Sequence, residues 1–266
     1  MKIRVFADGL GLANEAAAQA AALIEQAIDN RGRARILVAT GTSQLRFLDA
    51  LTSSKGLDWS KVEMFHLDEY IGIARTHPAS FCNYLIERFV RKTKVGAYHL
   101  LDGEAEPEVV ILEIGQKLSA APIDVAFAGI GENSHLAFND PPADLITERP
   151  YHVVNLDAAC RRQQVSEGWF ERLEDVPTKA ISITIRQLLK SRAVISVVPD
   201  ARKVEAVKCC VDGAIGPLAP ASLLRTHPDV TLYLDRESAA SIDPEVLQHG
   251  EVLRCEFPFQ DFLTCK

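Results

Sequence analysis

Cysteine is sparse and unpatterned in this chain of 266 residues: the six thiols (Cys82, Cys160, Cys209, Cys210, Cys255, Cys265) offer no C-x-x-C spacing and no Cys/His set of the kind that holds zinc. They read as free thiols of a reducing compartment, buried or at the surface. Positive charge is in short supply as well. With 29 Lys+Arg against 36 Asp+Glu, the formal net charge is −7, which argues against the basic stripe of a general nucleic-acid binder. An anionic small substrate stays compatible, because a pocket can be locally positive in an acidic protein. Long hydrophobic runs are missing: the most apolar stretches, such as Ala193–Val198, fall far short of the roughly 20 residues that span a bilayer, so no membrane partner is expected. Met1-Lys2 leads straight into Ile3-Arg4-Val5-Phe6, without the apolar segment and cleavage site of a signal peptide, and the expected location is cytoplasmic. No internal repeat, low-complexity tract or Pro/Gly-rich hinge divides the chain, which argues for one domain over residues 1–266.

Short β-branched runs alternate with longer segments of helical period. The strand candidates are Ile3–Phe6, Ile36–Ala39, Val62–His66, Val125–Ala128, Ala180–Ile185, Val194–Val198 and Val230–Leu234. The Ala-rich segment Leu12–Asp29, ended by Asn30-Arg31-Gly32, predicts an amphipathic helix, and further helices are predicted at Leu45–Leu51, Ala79–Val90, Glu108–Leu118 and Ala201–Val211. This alternation predicts an α/β fold: a single doubly wound, mostly parallel, Rossmann-like sheet with helices on both faces. Ligands of such sheets bind outside the carboxyl ends of the strands, so the residues after each strand carry the chemistry.

Three of these junctions stand out. Thr40-Gly41-Thr42-Ser43-Gln44 combines small residues, exposed backbone N–H groups and hydroxyls at the start of a helix, which suits an anion; a plain helix cap is the simpler alternative. It lacks the Gly-Lys-Ser/Thr of a P-loop. Leu67-Asp68-Glu69-Tyr70 sets two adjacent carboxylates at a strand end, where burial can tune one as a base; the alternative is a solvated acidic loop. The richest segment runs from Gly129-Ile130-Gly131 through Glu132-Asn133-Ser134-His135 to Asn139-Asp140-Pro141-Pro142. Ser134 occupies the third glycine position of a dinucleotide fingerprint, and the loop does not follow the first strand, so a nicotinamide cofactor is not expected. What remains is a Gly-rich loop presenting His135, with Asn133 and Asp140 close in sequence, a layout suited to acid–base work near neutral pH. The seven histidines lack metal-ligand spacing with partner acids.

These segments, together with Phe65-His66 before Leu67, His77-Pro78-Ala79-Ser80-Phe81, Val197-Val198-Pro199-Asp200-Ala201-Arg202-Lys203 and Pro220–Val230, resemble the glucosamine-6-phosphate deaminase (isomerase) family. The resemblance runs in order from the first strand to about Asp235. The related 6-phosphogluconolactonases share the fold and the Gly-rich His loop, but there the loop usually reads Gly-His-Thr-Ala-Ser, whereas this chain has Ser134-His135-Leu136-Ala137-Phe138. What the resemblance implies is cofactor-free aldose–ketose isomerisation with deamination of a hexosamine 6-phosphate, its partner being that phosphorylated amino sugar; homo-oligomerisation stays open. Asp68 would carry the proton between C2 and C1. His135, with Asn133 and Asp140, would serve ring opening, and the phosphate would rest on Gly41, Thr42 and Ser43 with Lys203 as its cation. Departures accompany the matches. Asn133 stands where the family has Asp, and Asp140 where it has Glu. Ser134 replaces a Gly, which implies that this backbone does not need a positive φ. The family's second phosphate-binding Arg has no match in Ser166-Glu167-Gly168-Trp169-Phe170, leaving Arg161 and Arg162 as substitutes by charge alone. A lactonase-type hydrolase and a non-catalytic sugar-phosphate-binding paralogue are the alternatives.

Overall fold

A computed structural model describes residues 1–249; residues 250–266, which include Cys255 and Cys265 and the end of the expected domain, lie outside the described part. Seven parallel strands form the central sheet: β1 (Lys2–Phe6), β2 (Ala34–Val38), β3 (Val62–His66), β5 (Ala97–His99), β6 (Val125–Ala128), β9 (Ala193–Val198) and β10 (Val230–Asp235), in the order β1-β10-β9-β6-β2-β3-β5. Three more, β4 (Asp68–Tyr70), β7 (Tyr151–Asn155) and β8 (Lys179–Ile183), make a separate antiparallel sheet in the order β4-β8-β7. The mostly parallel α/β expectation therefore describes the centre of the molecule. The segment predicted as a strand over Ala180–Ile185 is not part of that sheet; it is the middle strand of the small one.

Side-chain alternation explains the layering. Ile36 and Val38 of β2 face one side with Val125 and Phe127 of β6, Ile195 and Tyr233, and there they meet Leu12, Ala16, Ala20 and Ile24 of the helix Gly9–Arg31. Leu37, Phe65, Ala126 and Leu232 face the other side, against Val110, Ile114 and Leu118 of the helix Pro107–Ser119 and Val207 and Val211 of the helix Val204–Val211. Strands buried on both faces read as continuous apolar runs, which is why β6, β9 and β10 were recognisable. The first helix begins three residues earlier than its periodicity, because Asp8 caps it through the N–H groups of Leu10 and Gly11; Gly32, at φ 74°, ends it. The predicted helix Ala79–Val90 starts at Phe81 after the Ser80 cap and loosens into a π-turn over Ile86–Val90.

From β2 the chain steps outward to β3 and β5, then returns to the other side of β2 as β6 and continues to β9 and β10. The winding direction reverses between β2 and β6, so a crevice opens beyond their carboxyl ends. The small sheet roofs this end. Leu67 accepts a backbone hydrogen bond from Ile183 at 2.8 Å, and the Tyr151 hydroxyl donates to the His66 carbonyl at 2.6 Å. Glu69 fixes the next step: buried, it accepts hydrogen bonds from the N–H of Tyr70 (2.9 Å), Phe81 (3.2 Å) and Cys82 (2.7 Å) and from the Ser80 hydroxyl (2.8 Å). Of the two adjacent carboxylates, this one is committed to holding β4 against the start of the following helix.

Glu69→Ala removes the acceptor for four donors, three of them backbone N–H groups. Leaving buried donors unpaired costs about 1–3 kcal/mol each in the worst case, so the expected net loss is about 3 kcal/mol in urea denaturation. A loss below about 0.5 kcal/mol, the level of a neutral surface change, contradicts this role.

Candidate active site

The crevice is a cleft of about 610 Å³, lined by Gly41, Thr42 and Ser43 from the turn after β2, Asp68 from β4, Gly129, Gly131 and His135 from the loop after β6, and Lys203 from the turn after β9. Six sequence-predicted residues (Gly41, Thr42, Ser43, Asp68, His135, Lys203) thus share one cavity wall. Asn133 and Asp140 lie behind His135 rather than on the wall: Nδ1 of His135 is 3.1 Å from Asp140 Oδ1, and Asn133 donates to the same oxygen at 3.0 Å. Asn133 also donates to Asp157 at 3.3 Å and accepts the N–H of His135 at 3.3 Å. The amide at position 133 bridges two carboxylates, a task that an aspartate there could not perform without becoming a third negative charge. Burial works to raise the Asp140 pKa, but His135 and the Asn133 hydrogen bond outweigh it and hold the group below the usual carboxylate value.

Asp68 is set apart from Glu69 by its surroundings. It is only 6% exposed, and among the described residues its carboxyl accepts no hydrogen bond. Burial, reinforced by the neighbouring Glu69 charge, pushes its pKa from 3.8 up to about 8. A carboxyl at a cavity wall with a pKa near the working pH is the profile of a proton carrier. His66, two residues upstream, is buried and pushed down to about 3 by desolvation, so it stays neutral.

Close backbone approach shapes the His loop. A Cβ on Gly131 would sit 2.2 Å from the His135 ring, so only glycine lets the imidazole fold over this strand end. The expectation that Ser134 avoids a positive φ is overturned: Ser134 has φ 68° and Ala137 φ 51°, both left-handed. The loop keeps this shape because Asn139 anchors it to the small sheet, donating to the carbonyls of Leu136 (2.8 Å) and Ile183 (2.9 Å) while accepting from His152 (2.9 Å). Gln44 is buried and ties the anion turn to β9 by donating to the Val197 carbonyl at 3.0 Å and to Ser43 Oγ at 3.0 Å.

The two arginines proposed by charge do not line this cleft. Arg161 donates to the carbonyls of Val176 and Leu173, closing its own loop, and Arg162 is exposed beside a separate surface depression. Their helix, Ala158–Ser166, instead turns Gln163 and Gln164 to the cavity, followed by Glu167. The Glu167 carboxylate is held by Gln163 (2.7 Å) and the Trp169 indole N–H (3.1 Å), and its charge acts on Lys203. Nothing in the sequence distinguished these polar residues from a solvated helix face. Only one group among the described residues has a metal-like donor set: His135, Asp140 and Cys160, brought together by the fold despite unpromising spacing, with donor atoms within 4.8 Å of one another. Burial, followed by the charge of Asp140, pushes the Cys160 thiol up. Cys82 and Cys210 are likewise buried free thiols, and Cys209 is exposed. Among the described residues no helix is long and apolar enough to cross a membrane.

Residues 7–233 match the family model described as glucosamine-6-phosphate isomerases/6-phosphogluconolactonase. The chain belongs to that family. A glucosamine-6-phosphate deaminase of Exiguobacterium sp. is 30% identical over 246 residues, covering 92% of this chain and 95% of the relative. The Listeria monocytogenes glucosamine-6-phosphate deaminase is 34% identical over 221 residues, covering 82% and 92%. Among solved structures, that of a monomeric glucosamine-6-phosphate deaminase superposes with a TM-score of 0.82 at 27% identity, over 90% of this chain and 99% of the other. A putative 6-phosphogluconolactonase from Neisseria gonorrhoeae, with a TM-score of 0.71 at 18% identity over 88% and 99%, shares the fold. The family membership makes this an enzyme of sugar-phosphate chemistry.

The pKa of Asp68 has a consequence for stability. An unfolded Asp loses its proton near pH 4, whereas the folded one keeps it to about pH 8, so folding stability falls as pH rises between those values, by up to about 1.4 kcal/mol per unit. Asp68→Asn removes this penalty. In urea denaturation the variant should gain on wild type by on the order of 2 kcal/mol between pH 5 and pH 7; an unchanged difference across that range contradicts a raised pKa.

Proposed function

We propose that this chain is a glucosamine-6-phosphate deaminase: with one water, a hexosamine 6-phosphate gives a ketose 6-phosphate and ammonia, fructose 6-phosphate in the case of glucosamine 6-phosphate. The observation that carries the reading is the buried, unpartnered Asp68 carboxyl in one cleft with His135 and the Gly41-Thr42-Ser43 turn. His135, oriented from behind by Asp140 and Asn133, exchanges protons with the ring oxygen and the anomeric hydroxyl, and the sugar opens to its aldehyde. Ionised Asp68 takes the proton from C2, next to that carbonyl, and returns it to C1, leaving an imine at C2. Water adds to C2, the C–N bond breaks and ammonia departs. One base on one face suffices for the transfer because C1 and C2 are neighbours. The phosphate rests on the hydroxyls and N–H groups of residues 41–43, at the positive end of the following helix, with Lys203 as its cation.

The direct test is a panel of hexosamine 6-phosphates and 6-phosphogluconolactone, assayed for ammonia and for acid. Ammonia release from a hexosamine phosphate is expected; acid release from the lactone with no ammonia points to the hydrolase on the same scaffold. Asp68→Asn should lower kcat by about 100-fold or more while binding of the sugar phosphate survives. Because the base must be ionised and burial holds its pKa at about 8, kcat/KM of the wild type should climb with pH and bend near pH 8. A plateau already reached at pH 6 contradicts Asp68 as the base.

A further inference from the structure

His135, Asp140 and Cys160 meet behind the wall of the cleft. The loop after β6 carries the first two, and the third is on the helix Ala158–Ser166. A ring nitrogen of His135, a carboxylate oxygen of Asp140 and Cys160 Sγ all lie within 4.8 Å of one another. Neighbouring ligands of a tetrahedral zinc ion stand about 3.3–3.8 Å apart, so closing this triangle on an ion takes shifts of about 1 Å. The nitrogen that faces the carboxylate is Nδ1, 3.1 Å from Asp140 Oδ1. At that distance it still lacks the alignment of a hydrogen bond, and among the described residues Nδ1 has no other hydrogen-bond partner. His135 is 8% exposed and Cys160 1%, so both donors are out of bulk water. A buried ring nitrogen left unpaired is costly, and its orientation calls for a partner.

The frame that holds these atoms is made by other groups. Asp157 caps the helix by accepting the Cys160 N–H at 2.6 Å and gives its own N–H to Asp140 Oδ2 at 3.1 Å; Asn133 donates to Asp140 Oδ1 and to Asp157. Outer partners of this kind fix metal ligands in place. A carboxylate oxygen accepts about two bonds, so Oδ1 keeps a position beside the Asn133 amide. Asp140 and Asp157 also set negative charge around the thiol, which a dication offsets. Imidazole, thiol and one carboxylate are the donors of a borderline-soft ion, whereas calcium and magnesium take oxygen. Glu132, Asn133, Ala159 and Gln163 line a surface depression beside the group, which gives an approach from outside. We infer that His135 Nδ1, Asp140 and Cys160 form a site for one zinc-like divalent cation, and that the occupied site is inhibitory. The ion takes the Nδ1 lone pair and forms a bond to sulfur, and the thiol proton leaves to solvent. The one proton of the imidazole then sits on Nε2, which can give it but cannot accept another, so ring opening stops. The inhibitory half rests on the deaminase reading; the binding half does not.

Titration of the full chain with cobalt(II), which replaces zinc in such sites and reports a thiolate ligand by strong near-ultraviolet absorption, tests the binding half. The wild-type band should saturate at one equivalent and vanish when zinc is added. Cys160→Ala and Cys160→Ser, with folding checked by circular dichroism, should both lose the band, and zinc binding should weaken by about 100-fold or more. A variant with Cys209, Cys255 and Cys265 all changed to Ser should keep the band, which separates this site from the other thiols. No band in the wild type, or a band that the Cys160 variants retain, overturns the inference. With a turned-over hexosamine 6-phosphate, zinc should cut wild-type ammonia release about tenfold or more relative to the same protein with chelator, and that of Cys160→Ala less than about twofold. Full turnover with zinc bound overturns the inhibitory half. Should no hexosamine phosphate be turned over while the band still depends on Cys160, the deaminase reading fails and the metal site stands.

Discussion

Everything in the cleft depends on a carboxyl that has been taken out of water and given no partner. Asp68 is held there by the chain on either side of it. Its backbone is paired with Ser182 in the small antiparallel sheet, and Glu69 next to it is anchored by the start of the following helix. Two identical functional groups, adjacent in sequence, therefore end in opposite states: one saturated with donors and structural, the other unsatisfied and open to the cavity. An unpartnered buried acid destabilises a fold above its unfolded pKa, and such a cost is retained where function uses it. The imidazole of His66, held neutral by burial, supplies no compensating charge to that carboxyl.

The second constraint is the coupling between loops. Gln44 reaches from the anion turn to β9, and a Cβ on Gly129 would sit 3.1 Å from its amide nitrogen, so the turn after β2 and the loop after β6 are shaped against each other. Tyr84 fixes the same turn by donating to the Gly41 carbonyl at 3.0 Å. Asn133 likewise joins the loop after β6 to Asp157, the cap of the helix that supplies Gln163 and Gln164. The substitution of Asn for Asp at position 133, which looks like a loss relative to the family, is compensated locally: its amide donates to two carboxylates, which the replaced residue could not.

Much of this was legible in the sequence, for identifiable reasons. The buried parallel strands announce themselves as β-branched runs, the first helix by its Ala-rich periodicity, and the three junctions by Gly, hydroxyl and acid clusters after strands. The small sheet was not. β4 has three residues, two of them acidic, and β8 reads like any other apolar strand, because sequence records burial and not the direction of the partner. The positive φ of Ser134 carried no signal, since serine is not the residue that this conformation selects. Arg161 and Arg162 attracted attention through charge alone, whereas Gln163, Gln164 and Glu167 look like ordinary polar residues of an exposed helix until the fold turns them inward.

The central claim is that one aspartate remains protonated through neutral pH. It is tested most directly by NMR titration of the chain labelled with carbon-13 at the aspartate carboxyls, alongside Asp68→Asn. One resonance should titrate near pH 8 in the wild type and be missing from the variant. Aspartate resonances that all titrate below about pH 5, near the ordinary value for this side chain, would contradict the account.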